Sequence, residues 1–212
     1  MAKLAAAASL ALGLAGCQTT QPYDYTAFQQ HPPRSILVLP PINESTAIEG
    51  TYGYYSTVTR PLAELGYYVF PLVIVDRLLK ENGMPTAGEM HEVSLAKVRE
   101  VTGADAVLYP VVHEYGTKYH LVGSDTVVDV SARLVDTRTG TVLWDSKAKA
   151  VAGSGSSGNA AMDVVAALVS QVMTANKDAA HGVSRTANQQ LFLTQRRELP
   201  PGPYSPAYGR IP

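Results

Sequence analysis

The feature that constrains this chain most is a run of strict alternation in its second half. Val128, Val130, Ala132 and Leu134 are apolar, and Asp129, Ser131 and Arg133 between them are polar. A period of two puts one set on each face of an extended strand, so the segment predicts an antiparallel strand with one dry face. Thr137-Arg138-Thr139-Gly140 supplies turn chemistry. Val142 to Val151 then returns as a second strand, with Asp145, Lys147 and Lys149 directed outward. Ala104 to Tyr115, rich in Val and Tyr, predicts a third strand ahead of this hairpin.

The first half has mixed periods. Ser35 to Pro40 is an apolar run ended by two prolines, as in a buried strand. Tyr55, Val58, Leu62 and Leu65 recur at helical spacing, with Pro61 marking a helix start or kink and Gly66 at the C-cap position. Tyr67 to Phe70 predicts a short strand. Helices are expected over Val73–Glu81, stopping at Asn82-Gly83, and over Ala87–Thr102, stopping at Gly103. After a Gly/Ser loop at 153–158, a last helix is expected from Asn159 to about Asp178. Its stripe of Ala161, Val164, Val165, Leu168 and Val172 is widened by Met162, Val169 and Met173. The order β-α-β-α-α-β-β-β-α predicts an α/β (α+β) fold: one mixed sheet with packed helices over residues 35–197.

Both ends read differently from the middle. Residues 18–34 are polar and contain Pro22, Pro32 and Pro33, which predicts a tether. A flexible coil of that length spans about 20–25 Å on average. Residues 198–212 carry Pro200, Pro201, Pro203, Pro206 and Pro212 and predict an extended tail outside the domain.

The first residues combine Lys3 with an apolar stretch from Leu4 to Leu14. The stretch is shorter than the ~20 residues that span a bilayer and fits the core of a signal peptide. Leu14-Ala15-Gly16-Cys17 resembles the lipobox of bacterial lipoproteins. That resemblance implies cleavage after residue 16 and a lipid anchor on Cys17; Gln18 in the next place implies sorting to the outer membrane, with the domain facing the periplasm. Cys17 is the only cysteine, so no intrachain disulfide is available. A formal net charge of −1 offers no basic excess for nucleic acid, which is excluded as a partner.

No arrangement in the sequence signals catalysis. There is no Gly-x-Ser-x-Gly elbow and no P-loop lysine after the Gly/Ser loop. His113, Glu114 and His120 ligate zinc only if a turn at Gly116 folds them together; the simpler reading is a polar strand end. No cofactor or metal is expected. The 12 tyrosines outnumber the three phenylalanines and single tryptophan, and Tyr52, Tyr54 and Tyr55 cluster. Tyrosine suits recognition surfaces, so these three, with Val169 and Met173, are the expected partner surface.

Ile36 to Pro40 followed by Ile42-Asn43-Glu44-Ser45 resembles the opening of periplasmic lipoproteins related to CsgG, the curli secretion lipoprotein. Residues 102–108, 113–119 and 134–144 resemble one branch more closely. That branch comprises proteobacterial outer-membrane lipoproteins first noted as genome-derived vaccine antigens, of unsettled function. The resemblance implies a fold like the amino-terminal domain of TolB, which serves several functions. The expectation is a non-enzymatic, membrane-anchored lipoprotein that binds envelope proteins or joins an assembly, a homo-oligomer included. A curli-like export component and an activator of a peptidoglycan synthase are the alternatives. The long membrane-inserting hairpins of a pore are not found in the sequence.

Overall fold

A computed structural model describes residues 22–120, 123–153, 179–193 and 197–211. The chain enters through a short helix α1 (Thr26–Gln30) and continues as β1 (Ser35–Val38) and β2 (Ile42–Asn43). Helices α2 (Gly50–Tyr55) and α3 (Thr59–Glu64) precede β3 (Tyr68–Val69), and α4 (Leu72–Glu81), α5 (Ala87–His91) and α6 (Leu95–Thr102) follow. The second half is β4 (Ala106–His120), β5 (Gly123–Asp136), β6 (Val142–Gly153) and α7 (Ala179–Leu193).

The strands form one mixed six-stranded sheet in the order β3-β1-β4-β5-β6, which does not close into a barrel. β1 runs parallel to β3 and β4 (Ser35↔Tyr68, Ile36↔Ala106), and β2 extends the β1 side farther along β4 (Ile42↔Val111). Pro40 and Pro41 separate β1 from β2 because a proline has no N–H to give the ladder. The predicted hairpin is present, with Arg133 opposite Asp145 and Asp129 opposite Lys149.

Alternation divides the core between the two faces. On the first, Ile36, Val38, Leu108, Val130, Leu134 and Trp144 pack beneath α7, α2 and α3. Trp144 and Phe192 stack there with ring centroids 5.6 Å apart. On the second, Leu37, Leu39, Val107 and Tyr109 lie under Val75 and Leu79 of α4, Met90 of α5 and Val98 of α6. Among the described residues, these helices pack on β1, on the first half of β4 and on the Val135 end of β5.

Several expectations are corrected. The helix expected over 87–102 is two helices: Thr86 and Glu89 form a capping box on α5, and the Ser94 hydroxyl accepts from the Lys97 N–H to start α6. The helix expected at 159–178, with Val169 and Met173, lies outside the described residues. Sequence reading missed α7, which buries Val183, Ala187, Leu191 and Phe192. Its stripe also contains buried Ser184 and Asn188, which obscure the apolar period.

The ends are the largest correction. Residues 22–34 do not hang free, because Tyr25 and Phe28 are buried in the core of the first face. The proline-rich end is packed as well. Leu199 is buried, Tyr67 donates its hydroxyl proton to the Pro200 carbonyl, and the Gly202 N–H donates to the Leu65 carbonyl at 2.8 Å. Gly66 makes this fit: it has φ +89°, and a Cβ there would lie 2.3 Å from the Ser205 nitrogen.

Candidate functional site

Three surfaces stand out. The first is an apolar cleft between α4 and α6. α4 turns Val75 and Leu79 to the sheet, and α6 does the same with Val98. The gap between them holds about 220 Å³, lined by Leu37, Leu78, Met84, Val93 and Val101, with Asn82 and Lys97 as polar members. Val73, Ile74 and Val101 remain more than half exposed around these helices. Of these three, Val101 lines the cleft itself, and an apolar recess with an exposed apolar wall suits another molecule.

The second is the face of β4, β5 and β6 to which the polar half of the alternation points. A β-bulge between Val112 and Glu114 brings Glu114 onto the same face as Asp129. Lys118 and Lys149 each donate to Glu114 at 2.7 Å, and Lys149 also lies 3.4 Å from Asp129. These hydrogen bonds hold the Glu114 carboxyl down at about 2. Arg133 lies over the Tyr109 ring, 5.0 Å from its centroid. Beside them a shallow cavity of about 270 Å³ is lined by Ile42, His91, Tyr109, Ser131, Arg133 and Lys147. His91 is kept below its ordinary pKa by burial, against the raising effect of its 2.9 Å hydrogen bond with the Pro40 carbonyl.

His113 sits in this face with both ring nitrogens engaged. Nδ1 is 2.6 Å from Glu44 Oε2, and Nε2 is 2.8 Å from Ser131 Oγ. An ionised carboxylate only accepts, so Nδ1 carries a proton; with the ring neutral, Nε2 is the acceptor and Ser131 the donor. The order carboxylate–imidazole–hydroxyl is that of a hydrolase triad. Ser131, however, is in a central strand, paired with Val111 on one side and Lys147 on the other, so the N–H groups around it serve the ladders rather than an oxyanion. The strand runs straight through Gly116, opposite Val127, so no turn folds His120 back toward His113. Seven residues of extended chain separate them by roughly 23 Å.

The third surface is the junction of residues 23–25 and 197–198 on β6. Tyr23 donates to Asp145 Oδ1 at 2.9 Å, and its oxygen accepts from the Asp145 N–H at 3.0 Å. Arg197 pairs with Asp145 at 3.0 Å and covers the Tyr23 ring. Tyr25 donates to the Glu198 carbonyl at 2.7 Å, and Trp144 to the Arg197 carbonyl at 2.9 Å. Burial pushes the Tyr23 and Tyr25 hydroxyls up to about 12. Nothing in the sequence pattern signalled this clamp, whose bonded pairs lie from 52 to 173 residues apart.

The expected tyrosine surface is corrected. Tyr54 and Tyr55 are buried, Tyr54 bonded to Asn188 and Tyr55 to the Val38 carbonyl, because α2 turns them onto the sheet. Only Tyr52 of the three faces solvent; it is held by Asp76 and Lys80 of α4. Cys17 lies outside the described residues.

Residues 23–204 match the family model described as "Putative lipoprotein GNA1162-like". The chain belongs to the GNA1162-like family. It is 42% identical over 190 residues to a protein of Neisseria meningitidis serogroup B named "Putative lipoprotein NMB1124/NMB1162", covering 89% of this chain and 88% of that one. The crystal structure of lipoprotein GNA1162 from Neisseria meningitidis is similar at a TM-score of 0.56 and 44% identity, over 68% of this chain and all of that one. The PelC dodecamer from Paraburkholderia phytofirmans gives a TM-score of 0.43 at 15% identity, over 81% of this chain and 94% of that one. Among the described residues, no helix is long and apolar enough to cross a membrane.

Proposed function

We propose that this GNA1162-like protein is a non-enzymatic lipoprotein of the outer membrane, anchored through Cys17, facing the periplasm and binding other envelope proteins. The observation that carries the reading is the cleft between α4 and α6, an apolar recess whose wall includes exposed Val101. Burying such groups against a partner removes apolar surface from water, a transfer term of about 25 cal/mol per Å² that offsets the entropy cost of association. The charged ladder of Glu114, Lys118, Asp129 and Lys149 supplies a face better suited to setting orientation than to affinity. Membership in a lipoprotein family supports the anchor.

The test is the mass of the intact lipoprotein in mild detergent, beside a soluble form starting at Gln18 and a Val101→Asp variant of each. A complex that Val101→Asp dissociates, with the fold retained, supports docking at the cleft. A discrete large ring unaffected by Val101→Asp favours an export or scaffold assembly instead. Covalent labelling of Ser131 by a fluorophosphonate, abolished by His113→Ala, would sink the non-enzymatic reading.

A further inference from the structure

The base of the sheet, where β1 and β3 begin, gathers exposed aromatic and cationic side chains. Tyr68 opens β3 and is half exposed, and its N–H donates to the carbonyl of Arg34, itself exposed. The packed C-terminal segment adds Tyr204, Tyr208 and Ile211 at the same end. The Tyr204 N–H donates to the Gly66 carbonyl, two residues before Tyr68, and exposed Arg210 lies between Tyr208 and Ile211. Val142, at the start of β6, is also exposed at this end. Tyrosine with an apolar ring and polar tip, interspersed with arginine, is the composition that rests in the headgroup layer of a bilayer.

Chain length points the same way. The clamp on Asp145 fixes Tyr23, so the leash to Cys17 is six residues rather than the whole segment 17–34. Six residues reach at most about 20 Å, whatever their conformation. The opposite end of the molecule is the tip of the β4–β5 hairpin, where Tyr119 is 84% exposed. Asp145 pairs with Arg133 and Arg133 with Tyr109, so the clamp lies eleven residues along β4 from His120. At about 3.4 Å per residue that is roughly 37 Å. A molecule standing on its tip would hold Tyr23 beyond the reach of its own anchor.

We infer that the base of the sheet, through Tyr68, Tyr204, Tyr208, Arg34 and Arg210, lies against the phospholipid surface into which the Cys17 lipid inserts, with the β4–β5 tip directed away from it. The inference rests on the anchor proposed above. It makes the clamp an orienting device: the cleft and the charged ladder are presented at a fixed side and height.

The experiment uses the full lipoprotein, in which the lipidated Cys17 leaves an introduced cysteine as the single free thiol. Tyr208→Cys and Tyr119→Cys are labelled with the same small fluorophore. Each protein is bound to vesicles of phosphatidylethanolamine and phosphatidylglycerol carrying a headgroup quencher. The expected result is several-fold stronger quenching at position 208 than at 119, reduced when Tyr68 and Tyr204 are both changed to Ser. Equal quenching at the two positions in vesicle-bound protein, or stronger quenching at 119, overturns the orientation. So does cross-linking of copies through position 208, which would assign the base to a second protein molecule. Failure of the anchor itself is read separately: Cys17→Ala would float with the vesicles as well as the parent does.

Discussion

The Tyr54 hydroxyl donates a 2.7 Å hydrogen bond to Asn188 Oδ1, joining α2 to α7 inside the core of the first face. Both residues are fully buried. Asn188 uses its amide as well, donating to the Thr57 hydroxyl at 2.7 Å, and Thr57 in turn donates to the Tyr54 carbonyl. The three side chains and the Tyr54 carbonyl form one bonded chain, so a stripe that is otherwise apolar tolerates an asparagine.

Removing Asn188 therefore leaves two buried hydroxyls short of a partner. Asn188→Ala is expected to lower stability by about 3 kcal/mol, and Tyr54→Phe by about 1 kcal/mol. Urea unfolding checks this through the midpoint, with the slope unchanged.

The C-terminal segment is expected to act as part of the domain. Leu199 is buried against the core that holds Phe192, and Leu199→Ala is expected to cost about 2–4 kcal/mol. Ending the chain at Arg197 should cost more, because it also uncovers Tyr67. A drop in the thermal midpoint in that order is the readout, and a truncated chain as stable as the parent would contradict it.

Asp136 is expected to matter more than its place in a turn suggests. Burial raises the pKa of its carboxyl, but bonds from the Thr139 and Arg138 N–H groups and side chains outweigh that and hold it below its ordinary value. Asp136→Ala removes the acceptor and is expected to cost about 2 kcal/mol. Hydrogen exchange should quicken at the Asp136 and Gly140 amides, which bond across the turn to Thr141 and Asp136.

Glu114 predicts a dependence on pH. Its folded pKa of about 2 lies below the ordinary 4.5, so its contribution is complete above about pH 4.5 and is lost as pH falls toward 2. Glu114→Gln is expected to be less stable than the parent at neutral pH and to converge with it at the acid end of that window. High salt should shrink the neutral-pH difference, because the lysines that hold Glu114 are half exposed.

By itself, the sequence determined β1, β3, β4, β5 and β6 and, among the helices of the first half, α4 and the end of α6; β2 and the break between α2 and α3 at Ser56–Val58, inside the helical pattern of Tyr55, Val58, Leu62 and Leu65, were not legible in it. Val128 to Leu134 alternate, and their burial follows that alternation because a pleated strand has a period of two regardless of what surrounds it. Gly103 ends α6 at φ +72°, again a local demand of the backbone. Only the tertiary structure decided which tyrosines face water. Tyr52 and Tyr54 are two residues apart on one short helix, and their burial depends on where the sheet and α7 lie. It also decided that the segments flanking the sheet are bound: Tyr23 meets Asp145 and Gly202 meets Gly66 across more than 120 residues. Proline-rich and polar segments carry no period of their own, so composition reads them as tails. Their order comes from backbone groups and ring faces that find partners only after the sheet has formed.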